Sequence, residues 1–226
     1  MATSKMPTIW MSSLPGSASG KQLATVITSL DPGAKPAEDD PERIAYEELK
    51  KNSRVRGKAL PADAFPDTFF ENRPHDPTTV TQPFLCGPFW FVHRDLADVL
   101  RRFDLGPAVL VPVRFVEPDR TTPLSDDYLI LNVGAARATV LPEQSPSIYR
   151  WIDEPDRMPV GTPRYKFDPS TEKKGVTCRR SAMEGPPLWL DPDVKDVIFL
   201  ADPIARALDE AGYRRALKIK PCKLAD

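Results

Sequence analysis

Hydrophobic residues recur at helical spacing in the segment 93–103, and this pattern predicts a short amphipathic helix. Acidic residues occur early in the segment and arginines late, as the helix dipole favours, and Gly106 lies just beyond its end. The apolar positions of the stripe are Leu96, Val99, Leu100 and Phe103. A helix with such a hydrophobic face is expected to pack that face against a core.

A second helix is predicted near the C-terminus, directly after the apolar run 197–200. Asp202 is suited to the N-cap, Pro203 to the first helical position, and Gly212 to the end of the helix. The stripe comprises Ile204, Ala207, Leu208 and Ala211. A last strand should follow, with residues 217 and 219 on one face, so the order strand, helix, glycine, strand occurs twice in the chain.

Alternating apolar residues predict strands between the two helices. Positions 109, 111, 113 and 115 are apolar and share one face, while Pro112 lies on the other and, lacking an N–H, marks an edge or a bulge. Segments 128–133 and 138–141 predict two more strands, which Gly134 would join as an antiparallel hairpin.

Residues 1–82 form a less regular N-terminal segment, rich in Pro, Gly and Ser, with a possible strand at 22–30 and a weak helix at 41–51. Residues 83–226 carry the regular elements. The chain has 26 prolines, more than twice the average share of about 5%. We therefore predict an α+β fold, loop- and proline-rich, with a mainly antiparallel sheet packed against a few short helices.

Charge and cysteine content limit the classes of function. Lys and Arg total 31 against 32 Asp and Glu, so no net field attracts nucleic acid or an anionic membrane. No segment has the apolar length of a membrane span or of a signal peptide. The three cysteines are far apart and lack nearby histidines, which argues against a zinc site. We expect a soluble cytoplasmic protein with reduced thiols and no metal or cofactor.

Few residues are suited to catalysis. Cys86 and His93 could be a nucleophile and its base, but the apolar surroundings of Cys86 would raise its pKa, and His93 is better placed to cap the first helix. Acidic clusters occur at 38–42, 126–127 and 153–156 in what look like Pro- and Ser-flanked loops. Solvated loop charge explains them, although paired carboxylates across a pocket could hydrolyse a glycoside.

One segment has the composition of a protein interface, because aromatic and arginine side chains dominate binding hot spots. Its acids could complement a basic partner, although the tryptophan could equally be a core residue. The candidate interface residues are Trp151, Asp153, Glu154, Asp156 and Arg157.

The C-terminal two thirds of the chain resembles a known family through an ordered set of short motifs over about residues 84–222. The motifs are Gly87-Pro88-Phe89-Trp90-Phe91-Val92, the Leu96/Leu100 helix with Gly106, Val111-Pro112-Val113, Leu131-Asn132-Val133-Gly134, Leu188-Trp189-Leu190-Asp191-Pro192, Val197-Ile198-Phe199-Leu200, the Leu208/Gly212 helix and Cys222. They resemble the immunity protein eleven family of bacterial polymorphic toxin systems, formerly a domain of unknown function. A serine usually opens each helix in that family, whereas His93 and Ala201 stand there in this chain.

The resemblance implies that the protein is not an enzyme but binds a cognate toxin, encoded next to it, and so protects the producing cell or its kin. It supplies no motif for toxin contact, so the interface residues above are inferred from composition alone. Two alternatives stay open: an enzyme of unrecognised type that uses loop carboxylates, and an interaction adaptor that uses the Pro-rich segment 1–82.

Overall fold

The computed structural model describes residues 8–13, 25–27, 41–71, 82–87, 89–117, 119–151 and 163–226. These residues form a sheet-dominated α+β fold, as predicted. The helices are α1 (Pro41–Arg54), α2 (Arg94–Leu100) and α3 (Asp202–Glu210). The strands are β1 (Ile9–Ser12), β2 (Thr25–Ile27), β3 (Thr68–Glu71), β4 (Phe84–Cys86), β5 (Trp90–His93), β6 (Val109–Val116), β7 (Pro123–Asn132), β8 (Ile148–Arg150), β9 (Tyr165–Phe167), β10 (Thr177–Arg179), β11 (Leu188–Leu190), β12 (Val194–Lys195), β13 (Ile198–Ala201), β14 (Ile219–Pro221) and β15 (Lys223–Ala225).

The chain divides into two compact units, one made of residues 1–17 and 136–226 and the other of residues 18–135. These units do not follow the division at residue 82 expected from composition, because β3 and β4 lie on either side of that point in one sheet. In the described part of the chain, no helix has the length and apolar character required to cross a membrane.

Residues 18–135 contain a six-stranded sheet in the order β2-β3-β6-β7-β5-β4, antiparallel except where β3 pairs with β6. Aromatic rings fill its core because the alternating apolar residues of its strands face inward. Phe89 meets Tyr46 of α1, Phe65 and Phe69 edge-to-face, with ring centroids 5.4–6.1 Å apart. The contact between Tyr46 and Phe89 joins α1 to this aromatic core.

The described residues of segments 1–17 and 136–226 build three smaller sheets. The largest is antiparallel, in the order β11-β13-β1-β14, with α3 packed on β13 and β1. Strand β1 lies in its middle, bonded to β13 on one side and β14 on the other. Strands β10 and β15 pair in parallel, and β12-β9-β8 form a three-stranded sheet that carries the candidate site.

Most sequence predictions for the elements are confirmed. Helices α2 and α3 form where their stripes lie, α1 is longer than expected, and β2 occupies part of the segment predicted as a strand. The order strand, helix, glycine, strand occurs as β5-α2-Gly106-β6 and as β13-α3-Gly212-β14. Pro112 lies on an exposed part of β6 that β3 does not reach, as an edge proline should.

Three predictions are wrong. The hairpin at Gly134 does not form: segment 138–141 makes only an isolated bridge, from Val140 to Cys178, and β7 pairs instead with β6. Gly134 has φ +67°, and a Cβ there would lie 2.3 Å from the Pro107 carbonyl oxygen, so it serves a close backbone approach and not a hairpin turn. The second error concerns Asp126 and Asp127, which lie on β7 and not in a loop.

The third error concerns Asp202, which is not the N-cap of α3. That position is Ala201, which has no side chain able to cap, and the Asp202 carboxylate accepts instead from the indole N–H of Trp10 and from Nε of Arg206.

Candidate functional site

The candidate site is one face of the three-stranded sheet. Strands β8 and β9 are antiparallel, with Tyr149 opposite Lys166, and the Trp151 N–H donates to the Arg164 carbonyl oxygen at 3.1 Å. Lys195 of β12 is in turn the neighbour of Lys166 across the parallel pair. Because side chains alternate along strands, these five residues share one side of the sheet. We call Tyr149, Trp151, Arg164, Lys166 and Lys195 the Trp151 face.

Trp151 is the centre of this face, and its orientation is fixed. The indole N–H donates to the Pro163 carbonyl oxygen at 2.9 Å, so the polar edge of the ring is satisfied by the backbone. The Nζ atoms of Lys166 and Lys195 lie 4.4 Å and 5.4 Å from the ring centroid. The indole is only half-buried, so part of it stays available for contact.

Two ammonium groups beside one ring give the face a positive potential. Like charges directly across a strand pair repel, whereas each cation gains about 0.5–1 kcal/mol from the ring quadrupole at an exposed site. Asp196 lies 3.9 Å from the Nζ of Lys195, and this partly buried pair is so long that it offsets only part of the charge. An anionic group bound at the face would relieve the remaining repulsion.

The rim of the face is exposed. Tyr149 has 48% of its surface accessible, and Arg164 is also exposed. Among the described residues, only two other large hydrophobic side chains, Ile44 and Met183, are as open to solvent. An aromatic pair bordered by cations has the composition of a protein-binding hot spot. The arrangement can therefore supply apolar contact area and ionic contacts together.

Of the five candidate interface residues, only Trp151 is among the described residues. Asp153, Glu154, Asp156 and Arg157 lie outside them, and their part in an interface stays a prediction. The sequence reasoning missed the other four members of the Trp151 face. Tyr149 could have been found from its two-residue spacing to Trp151, but the lysines are brought there only by strand pairing.

Below the surface, Asp191 is a carboxylate that organises the chain. It is 3% exposed and accepts backbone N–H bonds from Thr139 at 2.7 Å, Val140 at 2.8 Å and Asp193 at 3.0 Å. Burial raises the pKa of Asp191, and the three N–H donors oppose that shift. The Trp189 N–H donates to the Thr139 hydroxyl at 3.0 Å, beside Asp191. These hydrogen bonds hold segment 136–140 against β11, so Asp191 has a structural role.

The catalytic pair considered above does not have the required geometry. His93 caps α2, as predicted, by accepting the Asp95 N–H at Nδ1 over 3.3 Å. The backbone register places Cys86 opposite Trp90, while the His93 N–H bonds to Pro83, at the other end of the strand pair.

The acidic residues of β7 do not form a pair across a pocket either. Asp126 and Asp127 are adjacent on β7 at a bulge, where the register with β6 shifts between Val113 and Phe115, and Asp127 pairs with Arg94 at 3.2 Å. The acids at 38–40 and 153–156 lie outside the described residues. Among the residues that are described, no group of three or more His, Cys, Asp or Glu side chains is arranged to hold a metal ion.

Comparison with known proteins does not assign the chain to a family. The chain matches no model of a protein family, and no curated protein matches it. The class defined by the fold is therefore a sheet-dominated α+β protein, and the family resemblance read from the motifs stays a prediction.

Proposed function

We propose that this chain is an immunity protein that binds and neutralises a cognate bacterial toxin in the cytoplasm of the producing cell or its kin. Two lines support the proposal: the ordered motifs between residues 84 and 222, and the exposed Trp151 face. The second is the observation that carries it, because it provides a fixed aromatic anchor in a surface of hot-spot composition.

The chemistry of the face defines what the toxin should present. Trp151 and Tyr149 require an apolar recess, and Arg164, Lys166 and Lys195 require carboxylates around it. Charge complementarity of this kind raises the association rate at low salt and is screened with a Debye length of about 8 Å at physiological ionic strength. We therefore expect association with the toxin to slow as salt is added.

The test uses the toxin encoded next to this chain. The two proteins should co-purify, and expression of this chain should restore growth of cells that produce the toxin. Trp151→Ala should weaken binding by at least about 30-fold, which corresponds to the 2 kcal/mol that defines a hot spot. Failure of the wild-type chain both to bind and to rescue growth would reject the proposed function.

A matched control is available on the other compact unit. Ile44 on α1 is 50% exposed, and Ile44→Ala removes a comparable exposed apolar group. It should change affinity by less than about 2-fold, within the range of neutral surface substitutions. If Trp151→Ala behaves like this control while the wild type binds, toxin binding is retained but the site is wrong.

A further inference from the structure

The Trp151 face presents two ammonium groups side by side. Lys166 and Lys195 are paired in register on neighbouring parallel strands, so their side chains leave the sheet next to each other. Their Nζ atoms lie 4.4 Å and 5.4 Å from the centroid of the Trp151 ring, which places both against one indole. A partner that covers this ring therefore meets both ammonium groups in the same contact.

Arg164 adds a third cation to the face. Its carbonyl oxygen accepts the Trp151 N–H, so the guanidinium belongs to the residue directly opposite the ring on β9. Within the described part of the chain, Asp196 is the only carboxylate that forms an ion pair with a member of the face, and it offsets part of the charge of Lys195. The positive charge of the face therefore comes mainly from Arg164 and Lys166.

A partner must supply ionised carboxylates to this face, because a cation buried at an interface without an anion is strongly unfavourable. Three cations around one ring require two or more carboxylates gathered around an apolar recess. Carboxylates so close together repel one another, and each raises the pKa of its neighbours. A divalent cation removes that repulsion, and Mg²⁺ sites are built from such carboxylates. The surface that best complements the Trp151 face is therefore a carboxylate metal site.

Two other kinds of toxin site match the face less well. A nuclease that works without a metal binds phosphates through Lys and Arg, and an inhibitor of its site would have to be acidic. A glycoside hydrolase keeps one of its two catalytic carboxyl groups protonated, so it offers a single full negative charge to the three cations. The ligands of a metal site are all deprotonated when the metal is bound.

We infer that the Trp151 face occupies the carboxylate-lined Mg²⁺ site of the toxin, with Lys166 and Lys195 in the place of the cation. This inference rests on the proposed function and names the part of the toxin that is blocked. The toxin is then an enzyme that depends on Mg²⁺, and its metal and this chain bind in competition. Because coupling between two ligands is reciprocal, each weakens the binding of the other by the same factor.

Titration of the full chain into its toxin tests the competition. The affinity is measured in EDTA, in millimolar MgCl₂, and in NaCl at the ionic strength of the MgCl₂ buffer, which separates competition from screening. Binding to the wild type should be at least about 10-fold weaker in MgCl₂ than in the matched NaCl, within the usual range of coupling between sites.

A pair of matched variants assigns the effect to the face. Lys166→Met keeps an unbranched apolar side chain against the ring but removes the charge, so it should weaken binding in EDTA and reduce the effect of MgCl₂. Lys223→Met removes an exposed cation from β15, outside the face, and should leave affinity within about 2-fold. Circular dichroism of each variant, unchanged from wild type, confirms that the fold is intact.

The possible failures are distinguishable. Equal affinity in MgCl₂ and in the matched NaCl would overturn the inference but leave the proposed function standing, because the chain would then bind its toxin away from a metal site. Unchanged affinity in Lys166→Met would also overturn it. Absence of binding in all three buffers, with no rescue of growth, would reject the proposed function and this inference together.

Discussion

Replacing Asp191 with alanine removes the acceptor of three backbone N–H groups beneath β11. Two of the donors, on Thr139 and Val140, are buried, and each buried donor left without a partner costs about 1–3 kcal/mol. The variant also removes the cost of burying the carboxylate, which offsets part of this loss. We expect Asp191→Ala to lower the free energy of unfolding by about 2–4 kcal/mol.

Asp191→Asn separates the hydrogen bonds from the charge. Its amide oxygen can keep the bonds to Thr139 and Val140, while its NH₂ group faces the N–H of Asp193, so a loss of about 1 kcal/mol is expected. Asp193→Asn is the matched control: that carboxylate is only partly buried, and the change should stay within about 0.5 kcal/mol.

The pH dependence follows from the raised pKa of Asp191, which burial causes. The folded state then binds this proton more tightly than the unfolded state. The associated stability is fully present below the unfolded pKa of about 3.9 and is lost as the pH rises through the higher folded pKa. Asparagine does not titrate, so the deficit of Asp191→Asn relative to wild type should be largest near pH 4 and shrink at higher pH.

Two measurements check these values. Urea unfolding gives the free energy for each variant, and amide hydrogen exchange reports on Thr139 and Val140 directly, even if the two compact units unfold separately. Exchange at both amides should accelerate in Asp191→Ala and change little in Asp191→Asn. Equal destabilisation by alanine and asparagine, or a deficit that grows with pH, would refute the reasoning.

Two further predictions concern backbone and thiols. Gly134→Ala should lower the free energy of unfolding in urea by about 2–5 kcal/mol, because alanine would adopt a left-handed φ and its Cβ would clash with Pro107. Gly212 also has a positive φ, +83°, but open space around it, so Gly212→Ala should cost only about 1–2 kcal/mol. Equal losses in the two variants would exclude the clash. Cys178 and Cys222 are buried free thiols, and a hydrogen bond with Cys178, together with burial, raises the pKa of Cys222. In a variant that lacks Cys86, these two thiols should react with Ellman's reagent only as fast as the chain unfolds. Rapid reaction at pH 8 would contradict their burial.

The elements that could be predicted from the sequence are those specified by local signals. The stripe, proline and glycine around α3 occur within eleven residues, and the alternation in β6 within eight. Strand β1 was missed because three apolar residues and a serine become a strand only through partners far along the chain. The prediction of a hairpin at Gly134 was wrong for a related reason. A glycine with positive φ is typical of a turn, but here glycine is required because the backbone of Pro107 approaches it closely.

The same difference between local and distant signals applies to the candidate site. Trp151 was identified by residue type, yet its cationic neighbours come from two other strands, so composition alone suggested an acidic interface where the described face is basic. Residue type thus indicated Trp151, whereas the residues around it are brought there by strand pairing.

The central position of β1 has a consequence for synthesis on the ribosome. Trp10 is made 192 positions before its hydrogen-bond partner Asp202. At 5–20 residues per second, that interval is about 10–40 s. During it, residues 18–135 can fold, whereas the strand at Ile9–Ser12 waits with its apolar side chains uncovered. We therefore expect chaperone binding and proteolysis of the nascent chain to be concentrated at Ile9–Ser12.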